Sequence, residues 1–336
     1  MQINPKSVWN QQGLTLVEMM IAMTIGLVLL GGVMTVLTSS KSTYRVNEAM
    51  ARIQENARYA FQILSRDIRM AGYQGCVGDG ITVANILGSK SDFLWRLHQP
   101  LEGFEATGAT DWTPGLPGDI LSPQGDRDIL VVRGVENTNT SVLSHSSEPA
   151  DLGVSPGSGL QTDDTVLVSN CQGAVIFQVT DVSTSPGQDT IKHDAGGSAP
   201  GNSSASLGRV FTGGEIGRIS TKVYYIRVNP RGISSLYRRN GNLAADELVE
   251  GIENMQIQYG EDTNGDRAVD SYRTANLVAD WENVVSVRID LLVQSVEDGI
   301  TGQPQTYTFN GVSVTPADRR LRQTFSTVIS LRNRSA

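Results

Sequence analysis

The feature that most constrains this chain is an apolar run near its N-terminus. From Leu14 to Leu37 the only ionisable side chain is Glu18. A helix rises 1.5 Å per residue, so about 24 residues reach roughly 36 Å, enough to cross the hydrocarbon core of a bilayer. The run therefore predicts a membrane-spanning helix, with the rest of the chain folded outside the bilayer.

A carboxylate inside such a run needs an explanation, because an uncompensated charge costs about 2.5–3.5 kcal/mol at mid-bilayer. Leu14 lies four residues before Glu18, so cleavage after Gly13 would create an α-amine about one helical turn away. Such an amine, on this or a neighbouring subunit, would neutralise the carboxylate and fix the axial register of packed helices. An ordinary membrane anchor would leave Glu18 without a partner. A cleaved secretory signal fits less well, because the leader has a single lysine, Lys6, and no small-residue cleavage site follows the run.

The helical pattern continues beyond the apolar run. Apolar residues recur at three- and four-residue spacing with charged residues between them, which is typical of an amphipathic helix with one buried face. The apolar positions are Met50, Ile53, Ala57, Ala60, Phe61, Leu64 and Ile68. We therefore predict one helix from Leu14 to about Ala71, ended by Gly72. A separate juxtamembrane helix or coiled coil is the alternative for its second half.

Beyond Gly72 the sequence changes to short β-branched and aromatic runs separated by turn-forming residues. The predicted strands are Asp128–Val135, Thr165–Ser169, Val175–Val179, Lys222–Val228, Leu236–Arg239, Met255–Tyr259, Val284–Val296, Thr306–Asn310 and Gln323–Leu331. This pattern predicts an α+β fold in which the long helix packs on a largely antiparallel sheet. Three stretches rich in Gly, Ser, Thr and Pro, 102–118, 137–159 and 183–208, predict long surface loops. A second domain beginning near residue 200 is the alternative.

Several stretches of the sequence resemble those of a known protein family. Gly13 followed by LTLVE and a long apolar helix resembles the class III signal of type IV pilins and type II secretion pseudopilins. SRDIRMAGYQGC at 65–76, LVEGIENMQIQYGEDTNGDRAVDSY at 248–272 and the terminal VISLRNR are similar to stretches of PilW-type minor pilins. The resemblance implies a type IV pilin-like fold, removal of residues 1–13 by prepilin peptidase and N-methylation of Leu14.

The resemblance also implies a domain order and a function. A leader at 1–13 would precede a long helix at 14–71, whose part 14–37 spans the inner membrane, and a periplasmic β-rich head at 72–336. The implied function is structural, not enzymatic: a minor pilin that primes or tips type IV pilus assembly by helix packing and supports twitching motility, adhesion or DNA uptake. The implied partners are other minor pilins, the major pilin, prepilin peptidase and a pilus-tip adhesin, and the mature protein would move from the inner membrane into the pilus. A GspJ-like pseudopilin of type II secretion and a membrane-anchored extracytoplasmic binding protein are the alternatives.

The cysteine count and the net charge add two further expectations. Cys76 and Cys171 are the two cysteines, and a head outside the cytoplasm favours a disulfide between them. Two unrelated buried thiols are the alternative. The net charge of −8 argues against attraction to phosphate, so no nucleic-acid partner is expected.

One acidic stretch suggests a cation site. Carboxylate and amide side chains alternate there as in the first half of an EF-hand loop, which makes calcium a candidate cofactor. The candidate ligands are Asp262, Asn264, Asp266 and Asp270. Arg267 stands where the invariant glycine of that loop would be, and Arg273 replaces the bidentate glutamate. An Asn264-Gly265 turn between two strands is the alternative.

Neither a hydrolase nor a zinc enzyme is indicated. GVSPG at 153–157 matches the Gly-x-Ser-x-Gly elbow in letters only, because proline follows the serine within a Gly/Ser-rich stretch. His98, His145 and His193 are scattered without the spacing of a metal or triad site. We therefore expect no catalytic residues.

Overall fold

The computed structural model describes residue 13, residues 15–75 and residues 83–332. A helix, α1 (Leu16–Arg69), is followed by a β-rich head. The strands are β1 (Val83–Asn85), β2 (Leu101–Ala106), β3 (Trp112–Thr113), β4 (Ile129–Ser144), β5 (Leu152–Val154), β6 (Thr165–Ser169), β7 (Ala174–Gln178), β8 (Asp181–Ser185), β9 (Gln188–Lys192), β10 (Glu215–Val228), β11 (Ser234–Asn240), β12 (Asp246–Glu250), β13 (Ile252–Glu261), β14 (Ser271–Arg273), β15 (Val284–Gln294), β16 (Tyr307–Phe309), β17 (Val312–Val314) and β18 (Arg322–Ser330). Short 3-10 helices lie at Phe93–Trp95, Ala275–Leu277 and Trp281–Asn283.

The helix α1 is continuous over 54 residues, which corresponds to about 81 Å. Its second half buries one face against the head, at Ala49, Ile53, Ala57, Ala60, Leu64 and Ile68. Of the positions predicted from the periodicity, Met50 and Phe61 are only half-buried. Gly72, at φ 71°, turns the chain away after the helix, and its N–H donates to Arg133 O at 3.0 Å. The prediction of one helix is confirmed, and the separate juxtamembrane helix is excluded.

The larger sheet contains 12 strands. Its main path runs β1-β7-β6-β10-β4-β5-β9-β8, with β11 and β12 extending from β10 and β2 and β3 extending from β4. Among the described strands only β1 and β7 pair in parallel. Because β10 pairs with β4 and β6 from before residue 200 and with β11 from after it, the chain has no domain boundary at that point.

A second sheet has four strands in the order β14-β13-β15-β18, all antiparallel. The main core lies between the helix and both sheets: Leu64 and Ile68 of α1 pack in one cluster with Leu130 of β4, Ile257 of β13 and Ile289 of β15. The α+β fold class, a long helix packed on largely antiparallel sheet, is confirmed. A β16–β17 hairpin forms a separate two-stranded sheet.

The prediction of three long loops is wrong in part. The first stretch contains most of β2 and all of β3, the second contains the end of β4 and all of β5, and the third contains most of the β8–β9 hairpin. These strands have short or polar sequences, so their periodicity is weak. They form because partner strands complete their hydrogen bonds and because Leu152, Val154 and Ile191 are fully buried in a second core cluster.

Asp128 holds the two sheets together. Its backbone N–H donates to Met255 O at 3.0 Å, and its carboxylate accepts from Ala106 N at 3.0 Å and from Ile257 N at 2.8 Å. Ala106 belongs to the 12-stranded sheet and Ile257 to the four-stranded sheet. Burial, together with the nearby Glu105 carboxylate, raises the pKa of Asp128 to about 7.

This pKa predicts that the head loses stability as the pH rises. A native pKa raised from 3.8 to about 7 means that the folded state binds more protons between these values. The free energy of unfolding should therefore fall through this window, by at most about 4 kcal/mol, and level off above it. Thermal unfolding between pH 4.5 and pH 8 measures the slope.

The matched controls for this prediction are two asparagine variants. Asp128→Asn removes the titrating group and should flatten the pH dependence, although one backbone N–H loses its acceptor. Asp246→Asn changes an exposed aspartate and should leave the slope as it is. Equal slopes in the wild type and in Asp128→Asn would show that another group controls the stability.

Candidate functional site

The start of α1 is closed by a capping box. Thr15 is the N-cap residue, and its Oγ1 accepts from Glu18 N at 3.3 Å. In return, Glu18 Oε2 accepts from Thr15 N at 2.9 Å and from Thr15 Oγ1 at 2.8 Å. This arrangement satisfies N–H groups that the first helical turn would otherwise leave unpaired. Both bonds use one carboxylate oxygen, so Oε1 is available to a further donor.

The capping role of Glu18 is the part of this site that our sequence reasoning missed. The signal was present, because Thr15 and Glu18 have the [Ser/Thr]-x-x-[Glu] spacing directly before an apolar run. The capping box shows how the carboxylate is held at the helix start. It does not by itself neutralise the charge, so the carboxylate still needs a cationic partner in apolar surroundings.

The first half of α1 has no partner within the described part of the chain. Its apolar side chains are exposed, with Leu16 at 77% and Val28 at 74%, and no residue in its most apolar 18-residue window is buried. Among the described residues this is the helix long and apolar enough to cross a membrane. A Cβ added at Gly31 or Gly32 would have no neighbour within 4 Å. The surface is therefore free to contact lipid or another helix.

Polar groups on this surface are satisfied within the helix. Thr24 Oγ1 donates to Met20 O at 3.0 Å, and Thr35 Oγ1 donates to Gly31 O at 2.9 Å. A hydroxyl that is bonded to the preceding turn adds little cost in a bilayer, where water cannot satisfy it. Glu18 is therefore the one ionised side chain of the described apolar segment that needs a partner from elsewhere.

The proposed cleavage site lies at the edge of the described residues. Gly13 is exposed, and a Cβ placed on it would have no neighbour within 4 Å. Leu14, predicted as the methylated residue, lies outside the described residues. Cleavage and methylation therefore stay predictions, and no described residue blocks access to Gly13.

The acidic stretch forms the loop between β13 and β14. Asp262 accepts from Gly265 N at 2.7 Å and from Arg267 N at 2.8 Å, while Asp270 accepts from Thr263 N at 2.8 Å. Within residues 13, 15–75 and 83–332, no group of three or more His, Cys, Asp or Glu side chains is placed to hold a metal ion. The turn between two strands is therefore what this geometry supports, and calcium binding stays a prediction without structural support.

The predicted disulfide involves one residue outside the described part of the chain, Cys76. Its neighbour Gly75 lies against the end of β6, since a Cβ placed there would be 2.5 Å from Ser169 Oγ. Cys171 follows Ser169 by two residues, with φ at 57°. The Cys76–Cys171 pairing therefore stays a prediction.

Comparisons with known proteins find similarity in the N-terminal helix and in the C-terminal part of the head. A family model described as Type IV Pilus-assembly protein W matches residues 223–333, and a model of the prokaryotic N-terminal methylation motif matches residues 10–34. No curated protein sequence is significantly similar to the chain. A solved type IV-like pilin from Thermus thermophilus is similar over 84% of this chain and 98% of that chain, with 12% identity and a TM-score of 0.31.

The two matched regions contain the elements described above. The methylation motif spans Gly13, Glu18 and the exposed apolar helix, and the PilW match spans the chain from within β10 to the end of β18. The printed description of the family matched at residues 223–333 names pilus assembly. The resemblance predicted from the sequence is therefore confirmed: residues 223–333 are similar to the Type IV Pilus-assembly protein W family, and residues 10–34 are similar to the prokaryotic N-terminal methylation motif.

Proposed function

We propose that this chain is a minor pilin that primes or tips a type IV pilus by packing its N-terminal helix against those of other pilins. The observation that carries the proposal is the exposed apolar half of α1, which begins at a capped carboxylate and has no partner in the described chain. Before assembly, lipid would cover this surface. In the pilus, helices of other subunits would replace the lipid.

Small residues favour that exchange. Without a hydrophobic driving force between helices in lipid, association depends on close packing, and Ala22, Gly31 and Gly32 let backbones approach one another. The second half of α1 is anchored in the core of the head. A force that extracts the helix from the membrane would therefore move the head with it, as a primed assembly step requires.

Glu18 would set the axial register of packing. Removal of residues 1–13 would leave an α-amine at Leu14, and such an amine on a neighbouring subunit can pair with the carboxylate. The capping box supports this role because it holds Glu18 Oε2 in place at the helix start. A misaligned neighbour would leave both charges unpaired in an apolar bundle, which is costly.

The partners that fit this proposal are other minor pilins, the major pilin, a pilus-tip adhesin and prepilin peptidase. The protein would reside in the inner membrane with its head in the periplasm and then enter the pilus. Twitching motility, adhesion or DNA uptake would be the processes served. Deletion should abolish pili and leave type II secretion intact, whereas loss of secretion alone would favour the GspJ-like alternative.

The test of processing is the intact mass of membrane-extracted protein from cells with and without prepilin peptidase. We expect loss of residues 1–13 and gain of one methyl group only when the peptidase is present. A full-length mass in both strains would remove the amine that Glu18 needs. The membrane-anchored binding protein would then replace the pilin proposal.

A further inference from the structure

Among the residues that the structure describes, the outer edge of β18 has no paired strand, and it has the properties of a strand-binding site. In the four-stranded sheet β18 is the last strand, and among the described strands it pairs with β15 alone. Its register with β15 is continuous from Arg322 to Ser330, without a bulge. An edge strand presents backbone donors and acceptors to any chain that can lie alongside it.

The direction of the backbone groups follows from one hydrogen bond. Leu331 N donates to Val285 O at 2.9 Å in the same register, so Leu331 is a residue whose backbone faces β15. In an antiparallel ladder the facing alternates along the strand. The outward-facing residues are therefore Thr324, Ser326, Val328 and Ser330, and all of them are exposed.

The first outward-facing residue of β18 is Arg322, and its backbone N–H and C=O are already bonded to the side-chain amide of Gln305. Arg322 N donates to Gln305 Oε1 at 2.8 Å, and Arg322 O accepts from Gln305 Nε2 at 3.0 Å. A side-chain amide offers the same donor and acceptor as a peptide group. Gln305 thus acts as one peptide unit of a further strand, and among the described residues no equivalent partner follows it along β18.

Proteins usually protect such edges with charge, proline or bulges. The larger sheet follows this rule at β12, which carries Asp246, Glu247 and Glu250. The stretch Thr324–Ser330, with the sequence TFSTVIS, contains no charged residue, proline or glycine. Val328 is 54% exposed on it. This edge lacks the features that would prevent strand addition.

We propose that β18 is a docking edge on which an extended, uncharged segment of another pilin of the assembly complex adds as a further β-strand, beginning beside Gln305. The choice of another pilin rests on the proposed function, whereas the strand-binding chemistry rests on the edge itself. The head would thus contribute an interface separate from the helix. Affinity would come from backbone hydrogen bonds between Thr324 and Ser330, and an apolar side chain of the partner would cover Val328.

The test separates backbone pairing from side-chain contact at one position. The full-length chain is co-expressed with the other pilins of its assembly system and purified in detergent, and the co-purified pilins are quantified. Val328→Pro removes an outward donor and leaves the hydrogen bonds to β15 intact, so it should reduce the co-purified pilin at least about tenfold. Val328→Thr changes the side chain but retains the N–H, and should bind as the wild type does.

A second matched pair guards against misfolding of the proline variant. Val328→Lys places a charge on the edge and should also reduce co-purification, while Val312→Lys makes the same change at a valine that is 61% exposed on the β16–β17 hairpin and should not. Thermal unfolding of each variant checks that the head is intact. If Val328→Pro unfolds, the comparison of Val328→Lys with Val312→Lys tests whether β18 is the docking edge.

The outcomes distinguish this inference from the function on which it rests. Wild-type levels of co-purified pilin in both Val328→Pro and Val328→Lys would overturn the docking edge and leave the minor-pilin proposal standing. Failure of the wild type to retain any pilin would overturn the minor-pilin proposal and this partner with it. Self-association of the purified wild type that Val328→Pro abolishes would also overturn the inference, because the occupant would then be a second copy.

Discussion

A Glu18→Gln chain is expected to insert into the membrane normally and to be largely lost from the complex with other pilins. Glutamine can fill the same position of a capping box, so its side-chain oxygen can still accept from Thr15. What disappears is the negative charge, which leaves the α-amine of the neighbouring helix unpaired. Breaking a buried ion pair costs about 3–5 kcal/mol, so co-purification should fall at least about tenfold.

The control is Thr15→Ala, which removes the N-cap hydroxyl and retains the charge of Glu18. Loss of an N-cap costs only about 0.5–2 kcal/mol of local helix stability, so this variant should still join the complex. Membrane fractionation checks insertion of both variants, and quantification of co-purified pilins checks assembly. If Thr15→Ala fails as severely as Glu18→Gln, Glu18 acts through the cap rather than through its charge.

An Arg133→Met chain is expected to lose about 3–5 kcal/mol of unfolding free energy, because a buried carboxylate would lose its main partner. Arg133 in β4 is 1% exposed and Glu102 in β2 is 4% exposed, and their side chains are 2.6 Å apart. The same guanidinium also donates to Gln99 O at 3.0 Å and to Phe93 O at 2.9 Å. Methionine fills much of the space but satisfies none of these acceptors.

Urea unfolding of the detergent-solubilised chain measures this effect. The matched control is Arg52→Met, whose ion pairs with Glu48 and Glu297 are exposed and should contribute less than about 1 kcal/mol. The double variant Arg133→Met with Glu102→Gln should recover part of the loss, because it removes the buried charge, which in the single variant keeps only the partly exposed Arg96 at 3.2 Å as an ion-pair partner. A loss for Arg133→Met no larger than for Arg52→Met would show that the pair is not a structural anchor.

The long helix could be predicted from the sequence because its signals are local. An apolar run and a spacing of three to four residues are properties of neighbouring positions, and Ile53, Ala57, Ala60, Leu64 and Ile68 are buried as predicted. The predicted strands are also present, although several extend further than predicted. For β4 and β10 the difference is large, because pairing with several strands continues the ladder into polar sequence.

The capping box is a local feature that the sequence contains but that we did not predict. Thr15 and Glu18 lie three residues apart, and the structure uses both side chains to close the first turn. The buried Arg133 is different. Nothing in the local sequence ILVVRGVE predicts that this arginine pairs with Glu102, which belongs to another strand. Such a pair becomes visible only when the strand order is known.

The sequence by itself determined the membrane-length helix, its amphipathic continuation, the β-rich head and the resemblance to two family models, since each depends on residues near one another in the chain. The tertiary structure decided which strands are neighbours, and with them the Asp128 junction, the Arg133–Glu102 pair and the open edge of β18. These features depend on contacts between residues far apart in sequence. Periodicity predicts that a strand forms, but only the packed sheets determine which of its edges is left without a partner.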